Sequence, residues 1–204
     1  MIQNPDLTFE KNLWSHYKHI AGIDEAGRGA LAGPVCVGAV ILPDDEPLLA
    51  STLVGARDSK QMTPRQRERL AIRIKEIALN WSVGFATAVE IDSQGIVRAT
   101  RLAAIRALHQ FSLTPQYLLT DFRLELPQLD ISQTSLVKGD ALCLSIACAS
   151  ILAKTERDAQ MQKLDASYPG YGLGKHKGYG TQAHRSALKR LGLSDIHRIT
   201  FHAK

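Results

Sequence analysis

Apolar positions along the chain come first in compact β-branched runs and later at helical spacing, and the change of period divides the sequence into elements. HIAGI (19–23) and PVCVGAVIL (34–42) predict two strands joined by a glycine-rich connection, and WSVGFATAV (81–89) predicts a third. Between the second and third, Leu70, Ile74 and Ile77 share one helical face. Thr63 is its expected N-cap, Pro64 its first residue and Gln66 the partner that closes a capping box. A second helix is expected over 98–110, with Leu102, Ile105 and Leu108 or His109 inward. YLLT (117–120) and TSLVKG (134–139) read as short strands ending beside Asp121 and Asp140. A long helix should run from Ala141 to about Leu164, followed by the glycine-rich basic loop YPGYGLGKHKGYGT (168–181) and a last helix over 182–191. Three early strands, then strands alternating with helices, predict an α/β fold: a mixed five-stranded sheet flanked by helices. No repeat or Pro/Ser-rich linker divides the 204 residues, so one domain over 1–204 is expected, with a core over about 18–165 and a C-terminal loop and helices over about 166–204.

Composition narrows the picture only modestly. At 45% hydrophobic and 22% charged residues the chain is ordinary for a globular protein, which excludes wholesale disorder. Twenty-five Lys and Arg against 20 Asp and Glu give a formal charge of +5, which suits a polyanionic partner. Cys36, Cys143 and Cys148 form no C-x-x-C pair and sit in apolar runs, so neither a disulfide framework nor a thiolate zinc site is expected. The run ALCLSIACASILA (141–153) is short of the roughly 20 residues a membrane span needs, and no secretory signal is visible. A cytoplasmic protein without a membrane partner is expected.

The candidate chemistry lies in acids at the ends of predicted strands: Asp24, Glu25, Asp121 and Asp140, from three separate strands. Carboxylates without thiolates or paired histidines make an oxygen-ligand environment for a hard cation, Mg²⁺ or Mn²⁺. Each acid also has a plainer reading. Asp140 could be the N-cap of the long helix, Asp121 a turn former before Pro127, and Asp24 and Glu25 an acidic turn. Asp44, Asp45 and Glu46, between Pro43 and Pro47, read as a solvated turn. Neighbouring strand residues point to opposite faces, so Asp24 and Glu25 pose a geometric question. Either the strand bulges or ends at Asp24 so that both side chains reach one site, or Glu25 contributes through its backbone carbonyl.

Gly27-Arg28-Gly29-Ala30-Leu31-Ala32 fits G-x-G-x-x-A, yet Gly33-Pro34 and strand chemistry follow where a dinucleotide-binding turn requires a helix. Glycines around Arg28 instead allow close approach of a ligand to exposed peptide groups, as in reading a sugar hydroxyl. His176, His184, His197 and His202 match no zinc spacing, and His197 and Arg198 are expected to fix the C-terminal segment against the body.

GIDEAGRGALAGPV, RDSKQMTPRQRERL, VKGDALCLSIACASILAKTERD, YPGYGLGKHKGYGTQAH and HRITF resemble, in order, the signature blocks of bacterial ribonuclease HII, over residues 20 to 201. The resemblance implies an RNase H-like fold with a C-terminal helical extension. It also implies endonucleolytic cleavage of RNA in RNA/DNA hybrids and at single ribonucleotides in duplex DNA, by a monomer using two Mn²⁺ or Mg²⁺ ions. On that resemblance Asp24, Glu25, Asp121 and Asp140 would be the metal-binding catalytic acids. Gly27, Arg28 and Gly29 would contact the 2′-hydroxyl, Tyr179 would stack on the deoxyribose beyond the junction, and Lys60 and Lys154 would contact phosphates. Ala30, Cys148 and Phe122 depart from the family's usual proline, alanine and glycine, and Phe122 would be strained if that glycine takes a positive φ. A non-catalytic nucleic-acid-binding protein on the same fold is the alternative, although four carboxylates facing a phosphate backbone bring a pure binder no benefit.

Overall fold

The computed structural model describes residues 4–122 and 124–202. The elements begin with α1 (Thr8–Trp14), β1 (Ile20–Ala26), β2 (Val35–Ile41), α2 (Glu46–Thr52), a 3-10 turn (Ser59–Gln61), α3 (Pro64–Ile77) and β3 (Asn80–Ala86). They continue with α4 (Ala88–Gln94), α5 (Ile96–Leu108), β4 (Tyr117–Asp121), β5 (Ser132–Leu136) and α6 (Gly139–Leu142), then α7 (Leu144–Ser167), α8 (Leu173–His176), α9 (Gln182–Leu191) and α10 (Ile199–His202). The five strands stand in the order β3-β2-β1-β4-β5. β2 runs antiparallel to both β1 and β3, while β4 runs parallel to both β1 and β5, so the sheet is mixed as the pattern predicts.

Helices cover both faces. Ala21 and Ile23 of β1 with Val35, Val37, Ala39 and Ile41 of β2 form one core with α5, and Val40 and Leu42 join α3 and α7 in a second. The capping box at the start of α3 is present as expected: Gln66 N–H donates to Thr63 Oγ1, and Thr63 N–H donates to Gln66 Oε1.

Five expectations need correction, each for a physical reason. The strand expected over 134–139 is β5 at Ser132–Leu136, because Lys138 turns left-handed and Gly139–Leu142 forms the helical turn α6. The third strand stops at Ala86 and not Val89, because Thr87 and Glu90 form a second capping box that opens α4. On α5 the inward face is Ala99, Ala103, Ala104, Ala107 and Leu108, while Leu102 and Ile105 are only half-buried and His109 is exposed. The helix lies so close to β3 that a Cβ on Gly84 would stand 2.0 Å from the Ala103 carbonyl oxygen, a gap only small side chains fit. The long helix begins at Leu144, because Cys143 is extended and the buried Glu10 of α1 reaches across to accept from the Ser145 N–H at 2.7 Å. Asp140 therefore sits in the separate turn α6 and is not the cap of α7. Asp44, Asp45 and Glu46 are solvated as expected, but they start a helix and not a turn: Asp45 accepts from Leu48 N–H and opens α2.

Candidate active site

β1 runs unbroken through the acid pair: Asp24 pairs with Gly38, Glu25 with Val37 and Ala26 with Cys36. Neither a bulge nor an early end is needed. Asp24 is 4% exposed, and its Oδ1 folds along the strand to accept from the Glu25 N–H at 2.6 Å. One carboxylate oxygen from each of Asp24, Glu25 and Asp121 lies within 4.8 Å of the other two, so the side chains of both β1 neighbours reach one site at the sheet's end.

Asp121 ends β4, the strand parallel to β1, and its Oδ1 accepts from the Gly139 N–H at 2.7 Å. That bond ties β4 to the turn carrying Asp140, where Lys138 takes a left-handed conformation. Asp140 is buried but lies outside the three-acid cluster; its carboxyl faces Asp58, a residue sequence reasoning passed over. Asp58 belongs to the RDSK block but also caps the 3-10 turn by accepting from Lys60 N–H, so its local pattern reads as structural. Ser150 was also missed: from α7 it hydrogen-bonds Ser59 at 2.9 Å, and its hydroxyl works against burial to lower the Asp24 pKa. Spacing offered a signal, because Ser150, Lys154 and Arg157 share one stripe of that helix.

The electrostatics are those of an acid cluster in want of a cation. Burial, then the charges of Glu25 and Asp121, push the Asp24 carboxyl well above the usual range. Burial raises Glu25 as well, against the nearby Arg28 guanidinium at 3.5 Å. Asp140 is pushed up to about 6 by burial and by Asp58 and Asp121. Glu25 Oε2 is buried with no hydrogen-bond partner among the described residues, a rare condition for a carboxylate. Converging oxygens of like charge, one of them orphaned, fit a hard divalent ion.

Above the acids opens a cleft of about 490 Å³ bounded by Glu25, the 27–29 turn, Lys60, Lys154 and Tyr179. Burial works against the Lys60 charge, but Asp24, Asp58, Asp140 and Glu25 outweigh it and raise its pKa. Lys154 pairs with Asp158 at 2.7 Å and lies 5.6 Å from the Tyr179 ring centre. The cleft thus gathers Gly27, Arg28, Gly29, Lys60, Lys154 and Tyr179 beside the three acids. Phe122 does not take a positive φ and so carries no left-handed strain; the residue is 47% exposed.

Behind Tyr179, two of the C-terminal histidines, His184 and His197, bond to each other. His184 Nδ1–H donates to the Tyr179 carbonyl, and Ser194 N–H donates to His197 Nδ1, which leaves His197 Nε2–H to donate to His184 Nε2 at 3.2 Å. His197 and Arg198 do fix the C-terminal segment: Ala32 bridges His197, and Arg198 is fully buried.

Fold and site together define a nuclease of the RNase H-like class, with an acid cluster beneath a basic cleft. The model of the family described as "Ribonuclease HII" matches residues 21–204. A ribonuclease HII of Dehalococcoides mccartyi is 49% identical over 199 residues, covering 97% of this chain and 92% of that one. One from Thermus thermophilus is 48% identical over 192 residues, covering 94% and 90%. Among solved structures, the ribonuclease H2 of Pyrococcus horikoshii superposes with a TM-score of 0.72 at 26% identity, covering 91% of this chain and all of that one. The chain belongs to the ribonuclease HII family. It is accordingly an enzyme, a ribonuclease H, and the non-catalytic alternative falls away.

Proposed function

We propose that this enzyme cuts the RNA strand of RNA/DNA hybrids and the backbone at single ribonucleotides in duplex DNA, leaving 5′-phosphate and 3′-hydroxyl ends. The observation that carries the reading is the convergence of Asp24, Glu25 and Asp121 oxygens within 4.8 Å at the edge of a cationic cleft. Asp24, Glu25 and Asp121 would hold divalent ions, with Asp140 completing the set from α6. Bound there, two Mg²⁺ or Mn²⁺ ions would supply a water of lowered pKa and neutralise charge on the phosphate and the leaving 3′-oxygen. Lys60 and Lys154 attract the strand's phosphates and hold it over the acids. Gly27, Arg28 and Gly29 meet the 2′-hydroxyl, the one group that separates RNA from DNA at a given position. Tyr179, held over Lys154 and Arg157, offers its ring to the next sugar.

In this reading residues 1–204 form one catalytic domain that acts as a monomer in the cytoplasm, removing ribonucleotides from DNA and RNA primers. No helix among the described residues is long and apolar enough to cross a membrane. The test is cleavage of a duplex carrying one ribonucleotide, with Mg²⁺, with Mn²⁺ and with chelator, for the wild type and Asp24→Asn. Metal-dependent cutting next to the ribonucleotide, lost in the variant, is expected. Near-normal turnover by Asp24→Asn would overturn the metal assignment.

A further inference from the structure

Two arginines lie beneath the recognition turn, and both are fully buried. Among the described residues neither has a carboxylate at salt-bridge distance, unlike Arg28, Arg67 and Arg106. Their donors go to main-chain carbonyls instead. Arg198 donates through Nη2 to Gly27 at 2.8 Å, through Nη1 to Arg28 at 2.8 Å, and through Nε and Nη2 to Gly33 at 3.0 and 2.9 Å. Arg157 donates to Ala32 at 3.3 Å, to Pro34 at 2.9 Å and to Lys177 at 2.9 Å. Five carbonyls of the 27–34 turn are thus held by two guanidiniums. The turn can sit this close only because Gly27 lacks a side chain: its φ is +90°, and a Cβ there would stand 1.8 Å from Arg157 Nε.

Arg157 also reaches the other half of the cleft. Its guanidinium lies 5.4 Å from the Tyr179 ring centre, and its Lys177 bond holds the loop two residues before that tyrosine. Leu31 N–H donates to the Gly178 carbonyl at 2.8 Å, closing the link between turn and loop. With the carbonyls of Gly27 and Arg28 drawn inward, the amides of Arg28 and Gly29 have no acceptor among the described residues, and both residues line the cleft. Burying a guanidinium without a counter-ion is costly, and burial together with the neighbouring Arg157 charge pushes Arg198 down to about 9. Capping carbonyls alone could be done by water or an amide side chain at far lower cost. A rigid fork with several donors does something they cannot, which is to fix several carbonyls of one turn in a single orientation.

We propose that Arg157 and Arg198 are positioning residues that lock the 27–34 turn and Tyr179 into one recognition unit, carbonyls inward and the Arg28 and Gly29 amides outward. The proposal rests on the reading of 27–29 as the contact for the 2′-hydroxyl. The amides then present fixed donors to the 2′-oxygen, and selectivity for a ribonucleotide depends on two side chains that never touch it.

The test uses Arg198→Lys and Arg157→Lys, which keep the charge and remove the fork. Each variant's melting temperature is measured first, and binding is then measured well below it, with chelator present, to an all-DNA duplex and to the same duplex with one ribonucleotide. The wild type should prefer the ribonucleotide. In both variants the preference should fall at least about five-fold, while all-DNA affinity stays within about two-fold because net charge is unchanged. Steady-state cleavage should show the loss mainly in KM if binding orientation alone is disturbed. A lowered melting temperature with the preference intact in both variants would overturn the proposal and leave the arginines as structural. A wild type with no preference would instead sink the 2′-hydroxyl reading itself, so the two failures are separable. Should Arg198→Lys not fold, Arg157→Lys alone decides, since its carbonyls and Tyr179 belong to the same unit.

Discussion

Asp24→Asn should make the metal-free protein more stable while abolishing turnover. The Asp24 carboxylate is buried, with oxygens of Glu25 and Asp121 within 4.8 Å. At that distance and an effective dielectric constant of about 20, two unit charges repel by roughly 3.5 kcal/mol. The wild type escapes part of this by holding a proton, as the raised pKa of Asp24 indicates. An Asn retains the oxygen that accepts from Glu25 N–H, so the main structural bond survives. After allowance for the buried amide, a net gain of about 2 kcal/mol is expected, or roughly 4–8 °C in melting temperature for a chain of this size. The pH dependence has a definite sign. A carboxyl whose folded pKa is raised favours folding while protonated and loses that stability as pH climbs above its unfolded value of about 3.9. The advantage of Asp24→Asn should therefore be absent near pH 3 and grow through pH 5 to 7. Thermal melts in chelator measure it, and added Mn²⁺ should stabilise the wild type more than the variant. No gain in chelator, or equal stabilisation of both by Mn²⁺, would refute the reasoning that these acids repel one another and await a cation.

Three further outcomes are expected. Gly84→Ala places a methyl 2.0 Å from the Ala103 carbonyl oxygen, so α5 must shift, and chemical denaturation should show a loss of about 2–3 kcal/mol. Glu90→Gln keeps the capping box but loses the Arg106 ion pair at 2.6 Å, which with the Thr87 bonds holds Glu90 down to about 2. Because that folded pKa is depressed, the ion pair's contribution is full above about pH 4.3 and fades as pH falls through 2; the surface position limits it to about 0.5–1 kcal/mol, read from melts across pH. Lys60→Ala should weaken binding to an RNA/DNA hybrid in chelator and lower the slope of log affinity against log salt by about 1. An unchanged slope would place Lys60 away from the phosphates.

The parts of this molecule legible in its sequence are those decided locally. Strands β1, β2 and β4 and helix α3 carry their own periodicity and caps, and Asp24, Glu25 and Asp121 stand out at strand ends against apolar neighbours; β5, at Ser132–Leu136, stops short of the expected 134–139 and leaves Asp140 in α6. The rest is decided by partners distant in the chain. The alanine face of α5 is chosen by Gly84 and not by which α5 residues are largest. The break before α7 is set by Glu10, 135 positions from Ser145. The Asp24–Glu25 puzzle had a third answer that alternation alone does not suggest, a carboxylate folded along its own strand. Asp58 and Arg157 stayed hidden because a capping aspartate and a helix arginine are ordinary until the fold shows what they face.

One consequence concerns synthesis. The Gly27 carbonyl is held by Arg198, 171 positions later. At roughly 5–20 residues per second, the ribosome adds that arginine some 10–30 s after the glycine. Through that interval the nascent chain already carries the acids of β1, and later those of β4 and α6, yet lacks the arginine that holds the Gly27 and Arg28 carbonyls. On the proposed reading, a product of stalled translation ending before Arg198 would carry the acids with the 27–34 turn held by Arg157 alone.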